Sequence, residues 1–142
     1  MIRRVDDQIS VSPQIAPGDV GDLAEAGFTM VINNRPEDEE AGQPAGAAIC
    51  EAAEAAGLDY VAIPVTHAGF SANQVQAMAS ALASARGPVF AFCRSGTRSC
   101  NLWALAEASQ GVGPDELIAK GAGAGYDLNG IRPLLETLSG QS

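Results

Sequence analysis

The 142-residue chain is long enough for one domain built on one core. Hydrophobic residues at 46% and charged residues at 18% exclude a disordered tail or a fibrous repeat. Eight basic against seventeen acidic side chains leave a formal charge of −9; that field repels nucleic-acid phosphates and anionic membrane surfaces, so neither is an expected partner. The opening MIRRVDDQISV has no apolar run of signal-peptide length behind its arginines, and no stretch approaches the roughly 20 apolar residues that span a bilayer. Cys50, Cys93 and Cys100 are too scattered for a disulfide framework. The expectation is a soluble, acidic domain of the cytoplasm.

Short β-branched runs alternate with alanine-rich helical stretches. Ile9 to Ser12 reads as a strand, and Pro17 suits the first position of a helix that presents Val20, Leu23 and Ala24 and closes at Gly27. Phe28 to Asn33 reads as a buried strand, followed by the loop Asn34 to Glu40 and a helix from about Ala45 to Ala56. Leu58 to Val65 is the third strand. Ser71 and Gln74 form a capping box, after which Val75, Met78, Leu82 and Ala85 line one helical face until Gly87-Pro88. Val89 to Phe92, apolar and bounded by turn residues, reads as a central strand that runs through CRSGTRS into a helix ending near Ala108. Two weaker helices, near Asp115 to Gly121 and Ile131 to Leu138, flank a glycine-rich turn (KGAGAGYD). Those glycines lack the preceding strand and the Lys-Ser/Thr of a phosphate loop, so they read as a flexible turn. The alternation predicts an α/β domain with a mostly parallel central sheet flanked by helices. Alanine-rich helix faces serve cores and interfaces alike and assign no oligomeric state.

The chemistry concentrates in Cys93-Arg94-Ser95-Gly96-Thr97-Arg98-Ser99, where a buried strand meets a helix. A loop there turns backbone N–H groups toward one point, backed by the positive end of the helix. Gly96 allows the tight path, and Arg94 and Arg98 offer planar, permanently charged forks for an oxyanion. A thiol in that cradle is expected to ionise easily. Cys93 therefore reads as a nucleophile inside an anion nest of Arg94, Ser95, Gly96, Thr97, Arg98 and Ser99. The alternatives are an inert strand-end cysteine and an anion-binding loop without turnover.

The motif C-R-S-G-T-R resembles the C-R-x-G-x-R active loop of rhodanese-type sulfurtransferases. Through VSPQI, VINNRPEDEE, GQP, YVAIPV and CRSGTRSCNLW, roughly residues 1 to 110 resemble the bacterial beta-lactamase-hydrolase-like, phosphatase-like domain family. The resemblance implies a fold similar to the dual-specificity phosphatases; some members are fused to metallo-hydrolase-like domains involved in sulfur metabolism. Tyrosine and dual-specificity phosphatases carry H-C-x-x-G-x-x-R. Here Phe92 stands in place of their histidine, Ser99 in place of their arginine, and Arg98 comes one residue early. The rhodanese-like spacing favours sulfur transfer: Cys93 takes sulfur from a small anionic or sulfane donor such as thiosulfate and passes it from a persulfide to a thiol acceptor. The alternative is phosphomonoester hydrolysis through a Cys93 phosphoenzyme. Neither chemistry requires a metal or organic cofactor.

A phosphatase needs an acid for its leaving oxygen. THAGFSANQ, after the third strand, contains no carboxylate; His67, the only histidine, is the titratable candidate there, against the reading of an ordinary loop histidine. Glu37, Asp38, Glu39 and Glu40 are further candidates, although four adjacent carboxylates read as a solvated loop. Arg35, at a strand end, is either a third cation of the anion site or half of a surface ion pair with that run. Cys100 lies seven residues along the helix from Cys93, roughly 10 Å away and beyond disulfide reach; it and Cys50 read as core residues. No cysteine pair has zinc-ligand spacing, so no metal is expected.

Overall fold

The computed structural model describes residues 2–140. In chain order the elements are β1 (Arg3–Arg4), β2 (Ile9–Ser12), α1 (Val20–Glu25), β3 (Met30–Asn33), α2 (Gly46–Ala55), β4 (Asp59–Ala62), α3 (Ala72–Ser84), β5 (Val89–Phe92), α4 (Thr97–Ser109), α5 (Pro114–Gly123) and α6 (Arg132–Ser139). The strands form one sheet in the order β1-β2-β5-β3-β4, parallel except for the short β1.

Parallel strands need both faces covered, and the sequence supplies runs that are apolar on both sides. Val11, Met30, Ile32, Val89 and Ala91 face a core shared with α3, α4, α5 and α6. Val31, Phe90 and Phe92 face the opposite side, where Val20 and Leu23 of α1 and Ile49 and Ala53 of α2 close over them. Leu102, Trp103, Ala104, Leu105, Ala106 and Ala108 of α4 are all fully buried. A helix that is apolar around most of its circumference belongs inside the layer, and α4 packs against α3, α5 and α6.

Register brings the site together. Ser12 and Asn33 both pair with Phe92, and Asn33 pairs with Ala62, so the parallel strands end level. The segments that follow them emerge along one edge of the sheet, beside the N-terminus of α4.

Several boundaries differ from the sequence reading. The ladder of β4 covers only Asp59–Ala62, but the Ile63 and Val65 N–H groups donate to the Asn33 and Asn34 carbonyls, both at 2.9 Å, and continue the pairing in a looser path. The first helix begins with a 3-10 turn at Pro17–Asp19. Gly121 and Gly123 belong to α5 rather than to a turn. Cys50 is half-buried on α2, with its thiol 3.7 Å from Glu54 Oε1, rather than in the core. No helix among the described residues is long and apolar enough to cross a membrane.

Candidate active site

Cys93 is completely buried at the end of β5. Its Sγ accepts the Gly96 N–H at 3.1 Å, so the loop curls back over the sulfur. That curl needs φ = +91° at Gly96, a left-handed conformation open to glycine. A side chain at Gly96 would also collide with the Tyr126 hydroxyl, which donates to the Ser95 carbonyl at 3.2 Å. The 13-residue α4 starts at Thr97, so the positive end of its dipole follows directly on the cysteine loop.

Arg98 lies on the first turn of α4. Its Nη1 donates to Glu39 Oε2 at 2.7 Å and to the Val65 carbonyl at 2.6 Å, while Nη2 donates to Glu39 Oε1 at 2.8 Å. This bidentate pair is nearly buried, and it holds the Glu39 carboxyl down at about 2, chiefly through the Arg98 hydrogen bonds. Arg98 is pushed up in turn by Glu39 and, to a smaller extent, by the neighbouring Cys93 sulfur. Glu39 is thus ionised, and it orients the arginine nearest the thiol.

The acidic loop is therefore not simply solvated. It turns at Asp38 (φ = 54°), and Gln43 staples it, accepting the Glu39 N–H at 3.1 Å and donating to the Pro36 carbonyl at 2.8 Å. Glu37 accepts the Gly46 N–H at 2.9 Å and so caps α2. Glu40 pairs with Arg94 at 3.3 Å and with Arg35 at 3.4 Å. Arg35 is buried rather than at the surface. Its donors go to Glu39 (2.9 Å), Gln14 (3.1 Å) and Glu40, so it reaches the anion site through Glu39.

His67, on the exposed loop after β4, places Nε2 3.8 Å from Glu39 Oε2. Ser95 and Thr97 join their hydroxyls at 3.0 Å on the loop surface. Ser99 is fully buried, and its hydroxyl donates to Asn34 Oδ1 at 2.8 Å instead of opening toward a ligand. Asn34 is the residue that the sequence reading passed over. Fully buried, it also donates Nδ2 to the Ile63 carbonyl at 3.0 Å and its N–H to the Phe92 carbonyl at 2.9 Å. It ties together β5, α4 and the segment carrying His67. The signal was a polar Asn-Asn-Arg run beginning at the last residue of a fully buried strand.

Cys100 is also fully buried, and burial pushes its thiol up to about 12, which suits a packing residue. Within 142 residues of net charge −9, three guanidinium groups (Arg35, Arg94 and Arg98) thus gather on the carboxylates of Glu39 and Glu40. A groove of about 600 Å³ between α3 and α6, lined by Phe70, Val75, Ala79 and Leu134, includes no residue of this loop.

Comparison with known proteins places the chain in a family and a fold. The chain is 36% identical over 137 residues to the beta-lactamase hydrolase-like protein of Agrobacterium fabrum, covering 96% of this chain and 32% of that one. It thus spans about a third of the length of the curated relatives it matches. A crystal structure of a Neisseria meningitidis protein assigned as a phosphatase superposes with a TM-score of 0.82 at 33% identity, over 96% of this chain and 97% of that one. The crystal structure of PTPMT1 shares the fold, with a TM-score of 0.76 at 14% identity, over 99% of this chain and 97% of the other. The fold is that of the dual-specificity and protein tyrosine phosphatases. Residues 1–110 match the family described as beta-lactamase hydrolase-like protein, phosphatase-like domain, and the chain belongs to that family.

Proposed function

We propose that the chain hydrolyses small phosphomonoesters through a phosphoenzyme on Cys93. One observation carries the reading: in a phosphatase-like chain, the only cysteine at a strand-to-helix loop among the described residues neighbours an arginine that a largely buried carboxylate holds in place. This reverses the preference for sulfur transfer drawn from loop length, because the family and the structural neighbours are phosphatase-like.

In the proposed reaction the phosphate sits in the nest of loop N–H groups, held by Arg98 and Arg94. The Cys93 thiolate attacks phosphorus, the bond to the ester oxygen breaks, and its electron pair leaves with that oxygen. His67 protonates the departing alcohol. Glu39 cannot, since Arg98 keeps it ionised, and Glu37 is committed to capping α2. Water then attacks phosphorus while His67 accepts its proton, releasing inorganic phosphate and restoring the thiolate. A working thiol calls for a reducing compartment, so the proposed location is the cytoplasm.

Sulfur transfer is the second reading, favoured by the four residues between Cys93 and Arg98. There the thiolate attacks the sulfane sulfur of thiosulfate, the S–S bond breaks, and sulfite leaves with the electron pair. A thiol acceptor then takes the sulfur from the Cys93 persulfide. Intact-mass spectra after brief incubation with phenyl phosphate or thiosulfate separate the two. A phosphoryl group gained by the wild type and not by Cys93→Ser, with phosphate released, supports hydrolysis. A single sulfur gained from thiosulfate, with no phosphoryl adduct and no phosphate release, overturns it in favour of sulfur transfer.

A further inference from the structure

Of the eight lysine and arginine side chains, seven have a carboxylate partner within the described residues; Arg3 has none. In a chain with seventeen acidic residues, an arginine left without one is conspicuous. Arg3 lines a pocket of about 240 Å³ with Pro13, Ser95, Gly125 and Tyr126. Ser95 is two residues from Cys93, and Tyr126 is the residue seated over Gly96, so the pocket abuts the cysteine loop.

The pocket is built by features the sequence reading left as a flexible turn. The chain turns at Gly125 with φ = +94°, and a Cβ there would meet Arg3 Nη1 at 3.1 Å, so the guanidinium lies against that bare backbone. β1 pairs antiparallel with β2, with Arg3 opposite Val11. Arg3 therefore shares the sheet face of the core beneath α4 and α5, while Arg4 pairs with Asp7 on the other side.

We propose that this pocket is a leaving-group subsite, so that the preferred substrates are small phosphomonoesters whose alcohol carries a second negative charge, such as a carboxylate. The inference rests on the phosphatase reading for its reaction, and on Arg3 for its selectivity. The Pro13 and Tyr126 rings wall the organic part, and Arg3 meets the charge. His67 and Glu39 flank the loop from the β3–β4 side of the sheet; Arg3 flanks it from the β1–β2 side. His67 and Arg3 thus stand on opposite sides of the cysteine loop, with the ester oxygen proposed to lie between them and the charged end of the alcohol turned toward Arg3.

The test is equilibrium binding of phenyl phosphate and of 3- and 4-carboxyphenyl phosphate to Cys93→Ser, alone and combined with Arg3→Gln or Arg3→Lys. The readout is the affinity ratio of carboxylated to plain ester within each variant. Arg3 is exposed on a two-residue edge strand, so its substitution spares the core, and melting temperatures check this. A carboxylated ester is expected to bind about fivefold more tightly to Cys93→Ser and to the Lys variant, with a ratio near one in the Gln variant. The preference should shrink with added salt. No preference in Cys93→Ser, or an equal one in the Gln variant, overturns the subsite. An Arg3-dependent preference in a protein whose wild type releases no phosphate from any of the three esters leaves the subsite standing and removes the phosphatase reading instead.

Discussion

Glu39 receives both terminal nitrogens of Arg98, at 2.7 and 2.8 Å, across 59 residues of sequence. The pair joins the loop after β3 to the first turn of α4 and fixes the plane of the guanidinium next to Cys93. A fork held by a carboxylate on one side leaves its remaining face ready for an oxyanion, with little rotamer entropy lost on binding.

Glu39→Gln tests that coupling in two ways. The carboxyl is held at about 2 against an ordinary 4.5, so its stabilisation is complete above pH 4.5 and is lost as pH falls toward 2. The melting-temperature gap between wild type and Glu39→Gln should therefore be widest near neutrality and close between pH 4.5 and 2. Parallel curves down to pH 2 would show that the pair contributes nothing to stability. Phosphatase kcat/KM should fall by about thirtyfold, as expected when a charge-stabilising donor loses its orientation.

His67→Gln should separate protonation of the leaving group from every other function of the loop. With phenyl phosphate, whose alcohol is a poor leaving group, kcat/KM, which reports only the steps through release of the alcohol, should drop by about a hundredfold; with para-nitrophenyl phosphate it should change only severalfold. Wild-type turnover of phenyl phosphate should decline at high pH, and that decline should be absent from the variant. Equal losses on both esters would take the acid role away from His67.

How much of this was legible beforehand follows from which forces act locally. β2, β3, β5 and the helix start at Ser71 were readable because apolar runs and a capping box announce themselves within a few positions, whereas α4 begins at Thr97, inside the stretch that reads as loop. The two-residue β1 has no periodicity to find. Glu39 looked solvated because it stands in a run of four carboxylates; only the fold shows that Arg98, far off in sequence, turns this one inward. Asn34 was hidden for the same reason, since its partners lie on β5, α4 and the stretch after β4. Strand order has no local signature at all.

Asn34 gives a third prediction. Asn34→Ala leaves the Ser99 hydroxyl and the Ile63 carbonyl buried without their partner, and should cost about 3 kcal/mol by denaturant unfolding. Ser99→Ala should cost about 1 kcal/mol, and the double variant should cost less than the sum of the two. Strict additivity would mean that the two side chains do not interact.

Gly96→Ala should destabilise the protein by about 2 kcal/mol through its positive φ and the collision with Tyr126. Tyr126→Phe removes the oxygen that the new methyl group meets, so Gly96→Ala should cost less in that background. The part due to φ should remain. An unchanged cost would assign the whole effect to backbone strain.

The sheet order carries a consequence for how the protein comes into being. β5 is the last strand in the chain, yet it lies at the middle of the sheet, between β2 and β3. A nascent chain up to residue 88 holds two separate strand pairs, β1 with β2 and β3 with β4, each with an unsatisfied inner edge. Only Val89–Phe92 joins them, and the next residue is Cys93. Closure of the sheet and placement of the thiol are therefore one event. Fragments split between Ser84 and Val89 should regain neither structure nor thiol chemistry until both halves are mixed.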